Sequence, residues 1–485
     1  MLKMEEYVLS ADSNKKTVAV SAEEIAKQKE YIQLARAIVE QKFSYAPKAF
    51  VHTYGCQGNV ADGERLKGML EEIGYELVDE LEGADLVLYN TCAIREHAED
   101  RVFGNVGALK QMKTANKEMK ILLCGCMMQQ EWVVEKIKKS YPFVDIVFGT
   151  HVIHRLPEFL YTSLRGGKKI REYPDSDGVI AEELPVHRDS DFKAWIPVMY
   201  GCNNFCTYCI VPYVRGRERS RDPKEIIGEA KQLVAEGYKE ITLLGQNVNS
   251  YGKHPDYGMN FAGLLRELNA IEGDFIIRFM TSHPKDCTYE LLDTMAQCKK
   301  VARHLHLPFQ SGNNRVLDAM NRRYTREKYL DLLTYAYKVM PDLSVTSDVI
   351  VGFPGETYEE FRDTVTLVEE AGFTSMFTFI FSSRIGTKAA SMPDPVSREE
   401  KGKWFKELLD TQEKIAAVRT ASMVGKTYRV LCESISKGGL IEGRTQGNII
   451  IEFPADKSVI GSFREVKVTE SLTWILRGEL VNTDE

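Results

Sequence analysis

Three cysteines that lie close together in the sequence are the residues best suited to chemistry. Cys202, Cys206 and Cys209 occur in the stretch GCNNFCTYC, so three thiolates can bind one metal centre without help from distant residues. A structural zinc ion usually takes four ligands, and an ordinary [4Fe–4S] cluster takes four cysteines. No further cysteine or histidine follows until His254. The spacing predicts either a zinc site completed from elsewhere in the chain or a four-iron cluster with one open iron.

The CxxxCxxC spacing resembles the motif of the radical S-adenosylmethionine (SAM) superfamily. In that superfamily the open iron binds the amino and carboxylate groups of SAM. An aromatic residue usually precedes the last cysteine, and Tyr208 stands at that position here. The resemblance therefore implies an iron–sulfur cluster and SAM as cofactors.

Alternating strand and helix patterns predict the elements that position these residues. Residues 46–170 contain four apolar runs, each followed by a helical pattern, which is typical of parallel βαβ units in a doubly wound sheet. An arm at residues 1–45 precedes them, with an amphipathic helix predicted over residues 22–41. The four strands are predicted at Ala49–Tyr54, Leu86–Asn90, Ile121–Leu123 and Val144–Phe148.

A second group of three cysteines is dispersed over this first α/β region. Cys56 in YGCQGN, Cys92 in NTCAIRE and Cys126 in CGCMMQ each follow a predicted strand. Ligands of open α/β sheets bind at the carboxyl ends of the strands, where the strand order reverses. These cysteines can therefore converge, although dispersed cysteines are often plain small hydrophobes. Cys124, inside the apolar run ILLC, is assigned to the core.

Two further domains are predicted after a connector near residues 173–191. Residues 190–422 repeat the strand–helix cycle six times, which falls short of a closed eight-unit barrel. We expect an open, partial (βα)6 barrel, the fold of the radical SAM superfamily. Residues 423–485 carry short strands separated by glycine-containing turns, which predicts a small all-β barrel.

Composition and charge exclude several classes of protein. The chain has 485 residues and a net charge of −7, which argues against simple coating of nucleic acid. No run of eighteen apolar residues predicts a membrane helix, and the N-terminus lacks the apolar region of a secretory signal. Ten cysteines in so long a chain do not form a disulfide scaffold. We expect a cytoplasmic protein in a reducing environment.

An arginine-rich run, RGRERSR, directly follows the local cysteine group. It contains Arg215, Arg217, Arg219 and Arg221. A solvated loop with one internal ion pair is the ordinary interpretation. The position beside a predicted metal centre instead favours contacts to phosphate or to SAM.

Seven motifs together resemble those of the tRNA methylthiotransferases, over residues 47–484. They are YGCQGN, NTCAIRE, GCMMQ, CTYCIVPYVRGRERSR, GQNVNSYG, HLPFQSGNNRVLDAMNRRYT and SDVIVGFPGET. The C-terminal region is similar to the RNA-associated TRAM domain. NTCAIRE and GQNVNSYG resemble the type that adds a methylthio group to N6-isopentenyladenosine, the base 3′ of the anticodon. The alternatives are the sister types, which act on threonylcarbamoyladenosine in tRNA or on an aspartate of a ribosomal protein.

The resemblance implies two [4Fe–4S] clusters. The cluster on the local cysteines cleaves SAM to a 5′-deoxyadenosyl radical, and the auxiliary cluster on the dispersed cysteines carries the sulfur. The implied partners are a tRNA anticodon stem-loop bearing isopentenyladenosine, an electron donor such as flavodoxin or ferredoxin, and a sulfur source, without a membrane. A non-enzymatic iron–sulfur RNA-binding protein or redox sensor is the other class that the cysteines allow.

Predicted SAM contacts follow or lie within barrel strands, where barrel ligands bind. A role as a loop or helix cap is the alternative for each polar residue. We expect Arg322 and Arg323 to contact phosphate or the SAM carboxylate, or to form a surface pair. The predicted SAM contacts are Tyr208, Gly245, Gln246, Asn247, Gln310, Asp348 and Ile350.

The chain departs from the family pattern at three positions outside the cysteines. Gly58 stands where the family usually has methionine, Gly63 where it has serine, and Ile385 where it has proline.

The TRAM-like segment holds eight Lys/Arg and nine Asp/Glu over residues 425–485 and is not a basic clamp. RNA contacts there are expected from particular residues, namely Arg429, Arg444 or Arg464.

Overall fold

A computed structural model of the chain describes residues 19–93, 96–174, 176–253 and 258–481. The first element, α1 (Ala22–Lys42), begins after Ser21, whose hydroxyl caps the first turn. Its apolar face packs Ile32, Ala35 and Val39 into the core of the first domain. The predicted amphipathic helix is confirmed, whereas the first eighteen residues of the arm lie outside the described residues.

The first domain is a six-stranded parallel sheet with helices on both faces. Its elements are β1 (Lys48–Thr53), α2 (Gln57–Ile73), β2 (Glu76–Val78), β3 (Leu86–Thr91), α3 (Glu96–Ala115), β4 (Lys120–Gly125), α4 (Glu131–Ser140), β5 (Ile146–Phe148), α5 (Leu156–Gly166) and β6 (Ile170–Glu172). The strand order is β2-β1-β3-β4-β5-β6, so it reverses between β1 and β3. The predicted doubly wound sheet is confirmed. Sequence analysis missed β2 and β6, edge strands of three residues each.

The second domain is an open barrel made of two three-stranded parallel sheets. Its elements are β7 (Lys193–Pro197), β8 (Met199–Tyr200), α6 (Val211–Arg215), β9 (Arg219–Ser220), α7 (Pro223–Ala235), β10 (Glu240–Leu244), α8 (Phe261–Ala270), β11 (Ile276–Phe279), α9 (Tyr289–Gln297), β12 (His304–His306), α10 (Asn314–Ala319), α11 (Arg326–Val339), β13 (Ser344–Val351), α12 (Tyr358–Ala371) and β14 (Ser375–Ile380). The sheets have the orders β7-β10-β11 and β12-β13-β14, and they meet where Ile277 pairs with Val301. The predicted partial barrel is confirmed.

A long helix leads to a closed five-stranded β barrel at the C-terminus. The elements are α13 (Arg398–Ala421), β15 (Thr427–Ile435), β16 (Ile441–Thr445), β17 (Ile450–Phe453), β18 (Phe463–Ser471) and β19 (Ile475–Leu480). The strand order is β15-β16-β17-β19-β18. Four of these strands were predicted, and β19 completes the closure.

The β barrel packs against the amino ends of the strands of the second domain. Arg278 on β11 donates from its guanidinium to the carbonyl oxygens of Thr445 at 2.9 Å and Gln446 at 3.0 Å. Its Nε also donates to Glu240, the first residue of β10, at 2.6 Å. The opposite, carboxyl ends of the strands are thereby left for the cysteine site.

Candidate active site

The local cysteine group lies in the loop after β8. The backbone of Cys209 donates to the carbonyl oxygen of Cys206 at 2.9 Å, and Cys202 donates to Gly216 at 3.2 Å. Burial raises the pKa of the Cys202 thiol to about 11 and that of Cys209 well above its usual range. Because thiolates are the metal ligands, binding of a metal here must displace protons.

A buried arginine lies against this group. Arg322 places Nη1 3.6 Å from the sulfur of Cys206, and its Nη2 donates to the carbonyl oxygen of Pro308 at 2.6 Å. Its side chain is almost fully buried. The expectation of a surface pair is therefore wrong for Arg322, which is buried and contacts the sulfur of Cys206.

The dispersed cysteines converge at the carboxyl ends of three adjacent strands. Cys56 follows β1 and is the N-terminal cap residue of α2, Cys92 follows β3, and Cys126 follows β4. The loops of Cys56 and Cys92 touch: a Cβ at Gly55 would lie 2.4 Å from the Cβ of Cys92. The switch point between β1 and β3 is where an open α/β sheet forms its ligand crevice.

Asn59 is the residue that holds these three loops together, and sequence analysis missed it. Its Oδ1 lies 3.6 Å from the sulfur of Cys56 and 3.7 Å from that of Cys126. Its Nδ2 donates to the carbonyl oxygen of Tyr54 at 3.1 Å and to that of Thr91, the residue before Cys92, at 2.8 Å. The only sequence indication was its place at the end of the motif YGCQGN.

Cys126 and Cys124 are both buried and differ in their surroundings. Burial raises the pKa of Cys126 to about 12, and the positive charge of Arg215 opposes that rise. Cys124 is fully buried in the apolar core between the sheet and α1, α2 and α5, as predicted. Cys287, Cys298 and Cys432 are core residues as well, because each packs in an apolar cluster.

Residues 210–215 directly follow the local cysteine group and contact the dispersed group. Ile210 comes directly after Cys209, and it packs together with Val214, Ala93 and Cys126. Gln246, from the loop after β10, also reaches the first domain: a Cβ at Gly58 would lie 3.7 Å from both Gln246 Nε2 and Cys56 Sγ. The segment that follows the local group and the loop after β10 therefore both meet the dispersed group at the domain interface.

Each group offers three cysteine thiols, the donors that bind the irons of an iron–sulfur cluster. Within the described parts of the chain, no three or more His, Cys, Asp or Glu side chains are arranged around a single-ion site. The residues that would hold the clusters are Cys202, Cys206 and Cys209 in one group and Cys56, Cys92 and Cys126 in the other.

The predicted SAM contacts fall into separate sets. Tyr208 and Ile350 pack against the same apolar cluster, which includes Phe353. Gln310 has a positive φ of 68°, its N–H donates to the carbonyl oxygen of Asp348 at 2.9 Å, and its own carbonyl oxygen accepts from Ile350 at 3.0 Å. These four residues therefore belong to one wall of the barrel.

The loop after β10 forms a second set. A Cβ at Gly245 would lie 2.5 Å from the side chain of Met199, so this position has no room for a larger residue. Asn247 is buried and donates from Nδ2 to Asp286 at 2.6 Å. Its Oδ1 and the Oε1 of Gln246 are buried without a hydrogen-bond partner. Buried polar atoms of this kind normally have partners, so this loop fits a role in binding a polar ligand.

The arginine-rich run does not form a phosphate-binding surface. Arg215, Arg219 and Arg221 are each less than 10% exposed. Arg221 pairs with Glu182 at 2.7 Å and with Glu229 at 2.9 Å, and Arg219 donates to backbone carbonyls of the same loop. The expected phosphate contacts are wrong for these three residues, because their guanidinium groups are buried against carboxylates or backbone carbonyl oxygens of the protein.

The three arginines predicted to contact RNA differ in their surroundings. Arg429 pairs with Asp274 at 2.5 Å and stacks on Phe463. Arg444 pairs with Glu433 at 3.3 Å, whereas Arg464 is exposed. Of the three, Arg464 has the charge that is most accessible to a phosphate.

The close approach of Gly55 and Cys92 leads to a prediction for Gly55→Ala. The new methyl group would overlap the Cβ and sulfur of Cys92, at 2.4 and 2.6 Å, and φ at Gly55 is +112°. We expect the variant to lose about half of its bound iron, as measured by iron and sulfide analysis after anaerobic reconstitution. Gly83→Ala is the matched control, because φ is +77° but no atom lies within 4 Å of a Cβ there. It should cost about 1–2 kcal/mol of backbone strain and keep its iron; equal iron loss in both variants would contradict the prediction.

Family models match all three domains. The Radical SAM superfamily matches residues 196–368, an uncharacterized protein family, UPF0004, matches residues 48–149, and the TRAM domain matches residues 421–481. Among solved structures, the radical SAM methyltransferase TsrM from Kitasatospora setae superposes with a TM-score of 0.51 at 15% identity. It covers 71% of this chain and 77% of that chain, which supports the fold.

Curated relatives align over nearly the whole chain. Proteins named tRNA-2-methylthio-N(6)-dimethylallyladenosine synthase are 48% identical in Thermoanaerobacter sp. and 47% identical in Acetivibrio thermocellus, each alignment covering 96% of this chain and 98% of the relative. The protein of that name in Clostridium perfringens is 46% identical over 89% of this chain and 97% of its own length. The chain belongs to this family of radical SAM enzymes.

Proposed function

We propose that the protein converts N6-isopentenyladenosine, next to the anticodon of tRNA, to its 2-methylthio derivative. The relatives carry that activity in their names. The observation that carries the proposal is the second cysteine group: Cys56, Cys92 and Cys126 meet at the switch point of the first sheet, and Cys126 packs against Ile210 and Val214, which follow the CxxxCxxC loop. A radical SAM enzyme that only forms a radical needs one cysteine group, whereas insertion of sulfur needs a second site beside it.

The chemistry needs both sites because the C2–H bond of adenine is not activated. When bound, the cluster on the local cysteines with SAM supplies a 5′-deoxyadenosyl radical, and the auxiliary cluster on the dispersed cysteines supplies the sulfur. The protein positions these two sites. Because residues 210–215 directly follow Cys209 in the chain and pack against Cys126 through Ile210 and Val214, the site where the radical forms and the site that donates sulfur are proposed to be held together, as a reaction between bound groups requires.

Side chains of the second domain are proposed to bind SAM and to orient the reaction. Arg322 places positive charge against Cys206. The loop Gly245-Gln246-Asn247 offers two partnerless amide oxygens to the SAM amino group. Tyr208 and the wall of Gln310, Asp348 and Ile350 are proposed to hold the rest of the cofactor. The isopentenyl group, a branched hydrocarbon, is expected to need an apolar pocket.

The remaining partners follow from the chemistry. Reductive cleavage of SAM needs an electron donor such as flavodoxin or ferredoxin, and repeated turnover needs a sulfur source. The thiolates and clusters need a reducing compartment, the cytoplasm.

We also propose the division into an arm (1–45), a domain for the auxiliary cluster (46–170), a radical SAM domain (190–422) and a TRAM-like domain (423–485), the last with a role in holding tRNA. Within the described residues, no helix combines the length and apolarity that membrane crossing requires.

A competition between substrates tests the proposal. Reconstituted enzyme, SAM and an anaerobic reductant are incubated with an anticodon stem-loop bearing isopentenyladenosine, and methylthio product and 5′-deoxyadenosine are measured by mass spectrometry. The matched controls are the same stem-loop with unmodified adenosine, a stem-loop with threonylcarbamoyladenosine and the ribosomal protein. Methylthiolation of the isopentenylated stem-loop alone is expected. Preference for either of the last two would assign a sister activity, and failure to form 5′-deoxyadenosine would favour a non-enzymatic iron–sulfur protein.

A further inference from the structure

We propose that Arg215, which belongs to the second domain, sets the reduction potential of the auxiliary cluster in the first domain by hydrogen bonding to Cys126. This inference rests on the proposed function, which assigns a cluster to Cys56, Cys92 and Cys126. Arg215 is a positioning residue, because it acts on the cluster through a cysteine sulfur.

The guanidinium of Arg215 makes three buried hydrogen bonds across the domain interface, from two of its nitrogens. Its Nε donates to the sulfur of Cys126 at 3.0 Å. One of its terminal nitrogens, Nη2, donates to Asp62 at 2.7 Å and to Asn59 Oδ1 at 2.9 Å. The side chain is 6% exposed. Because a guanidinium is planar and rigid, the carboxylate of Asp62 fixes the direction in which Nε points.

The position of Arg215 in the chain links it to the other cysteine group. It is the last residue of α6, which begins two residues after Cys209. Arg219 donates to the carbonyl oxygen of Arg215 at 3.2 and 3.3 Å and so holds the end of this short helix. The hydrogen bond to Cys126 is therefore present only when the two domains are docked in this arrangement.

The effect on a cluster follows from the charge and the hydrogen bond. Reduction adds one negative charge to a cluster, and hydrogen bonds to its sulfurs and the net charge around it set the potential. A guanidinium that is buried against a ligand sulfur stabilises the reduced form, since solvent does not screen the interaction there. Removing it should shift the midpoint potential to a more negative value. Loss of such a partner also typically weakens metal binding by about 10–100-fold.

The chain offers a matched control in Arg188. This arginine also joins the two domains through partly buried ion pairs, with Glu64 on α2 at 2.9 Å and Glu229 on α7 at 2.6 Å. Glu64 lies two residues from Asp62 on the same helix. Arg188 donates to two carboxylates and to the carbonyl oxygen of Trp195, whereas Arg215 donates to the sulfur of Cys126 as well as to a carboxylate. Replacing Arg188 removes a partly buried interdomain charge without removing a contact to a cysteine.

The experiment uses the full-length chain with Cys202, Cys206 and Cys209 replaced by alanine, so that only the auxiliary cluster assembles. Arg215→Gln, Arg215→Lys and Arg188→Gln are each added to this background. Iron content, the rate of iron loss to a chelator and the midpoint potential, from an anaerobic titration followed by electron paramagnetic resonance, are measured. We expect a negative shift of the midpoint potential in Arg215→Gln and none in Arg188→Gln. The shift should be smaller in Arg215→Lys, because lysine keeps the positive charge but has a single nitrogen for these hydrogen bonds.

The outcomes separate this inference from the proposed function. A background protein that binds no iron would refute the auxiliary cluster itself, and with it the inference. A cluster with an unchanged potential in Arg215→Gln, or an equal shift in Arg188→Gln, would overturn the role of Arg215 alone. If Arg215→Gln assembles no cluster, the lysine variant decides: a negative shift supports the inference, and an unchanged potential overturns it.

Discussion

Replacing Cys202, Cys206 and Cys209 together by alanine is expected to abolish SAM cleavage and to halve the bound iron. The reason is that these thiolates are the only cysteines of the CxxxCxxC loop and that the open iron of their cluster must hold SAM. With about four irons for each cluster, the iron content should fall from about eight to about four atoms per chain. The measurements are 5′-deoxyadenosine formation by liquid chromatography and iron analysis after reconstitution.

Cys287→Ala is the control for this variant. Cys287 is a buried cysteine of the same domain and packs in its apolar core, so its loss tests the general effect of removing a thiol. It should keep about eight irons and its SAM cleavage. Retention of eight irons by the triple variant would refute the assignment of this loop as a cluster site.

Replacing Cys56, Cys92 and Cys126 together by alanine should separate the two halves of the reaction. The local cysteine loop is unchanged, so SAM cleavage is expected to continue at a rate of the same order. No sulfur donor remains beside the substrate, so methylthio product should be lost completely. Again about four irons should remain per chain. The check is to measure 5′-deoxyadenosine and methylthio product in the same reaction by mass spectrometry.

Cys124→Ala is the matched control for this triple variant. Cys124 lies two residues before Cys126, on the strand β4, and its side chain is buried in the apolar core. The control should retain the auxiliary cluster and form product, with a modest loss of stability from the small cavity. Methylthio product from the triple variant would show that the sulfur comes from another site. Loss of product in Cys124→Ala alone would show that the strand, rather than the ligand set, had been disturbed.

Element types were predictable because the local patterns agree with the global fold. The helix predicted over residues 22–41 is observed as Ala22–Lys42, and its start has a local cause: the hydroxyl of Ser21 accepts the N–H of Glu24 and caps the first turn. Short edge strands such as β2, with three residues, carry too little periodicity to be recognised. The strand β19 was missed, although it pairs with both β17 and β18 to close the C-terminal barrel.

Contacts across the domain interface were beyond sequence analysis. The arginine-rich run was expected to meet phosphate or SAM, whereas Arg215 and Arg221 are buried against Asp62 and Glu182. Asp62 and Arg215 are 153 residues apart, and no local pattern reports a pairing over that separation. The same applies to Asn59, whose side-chain amide contacts three loops that follow separate strands.

The sequence by itself determined the local cysteine group, since eight consecutive residues contain all three thiols and their spacing needs no tertiary contact. It also determined the succession of strands and helices, because apolar periodicity and helix caps act over a few residues. Only the tertiary structure decided that Cys56, Cys92 and Cys126 form a second group. Parallel pairing of β1, β3 and β4 aligns their carboxyl ends, and the interface of two domains then brings Arg215 to Cys126. Long-range pairing of this kind arises from packing of whole elements, which is why one chain segment cannot encode it.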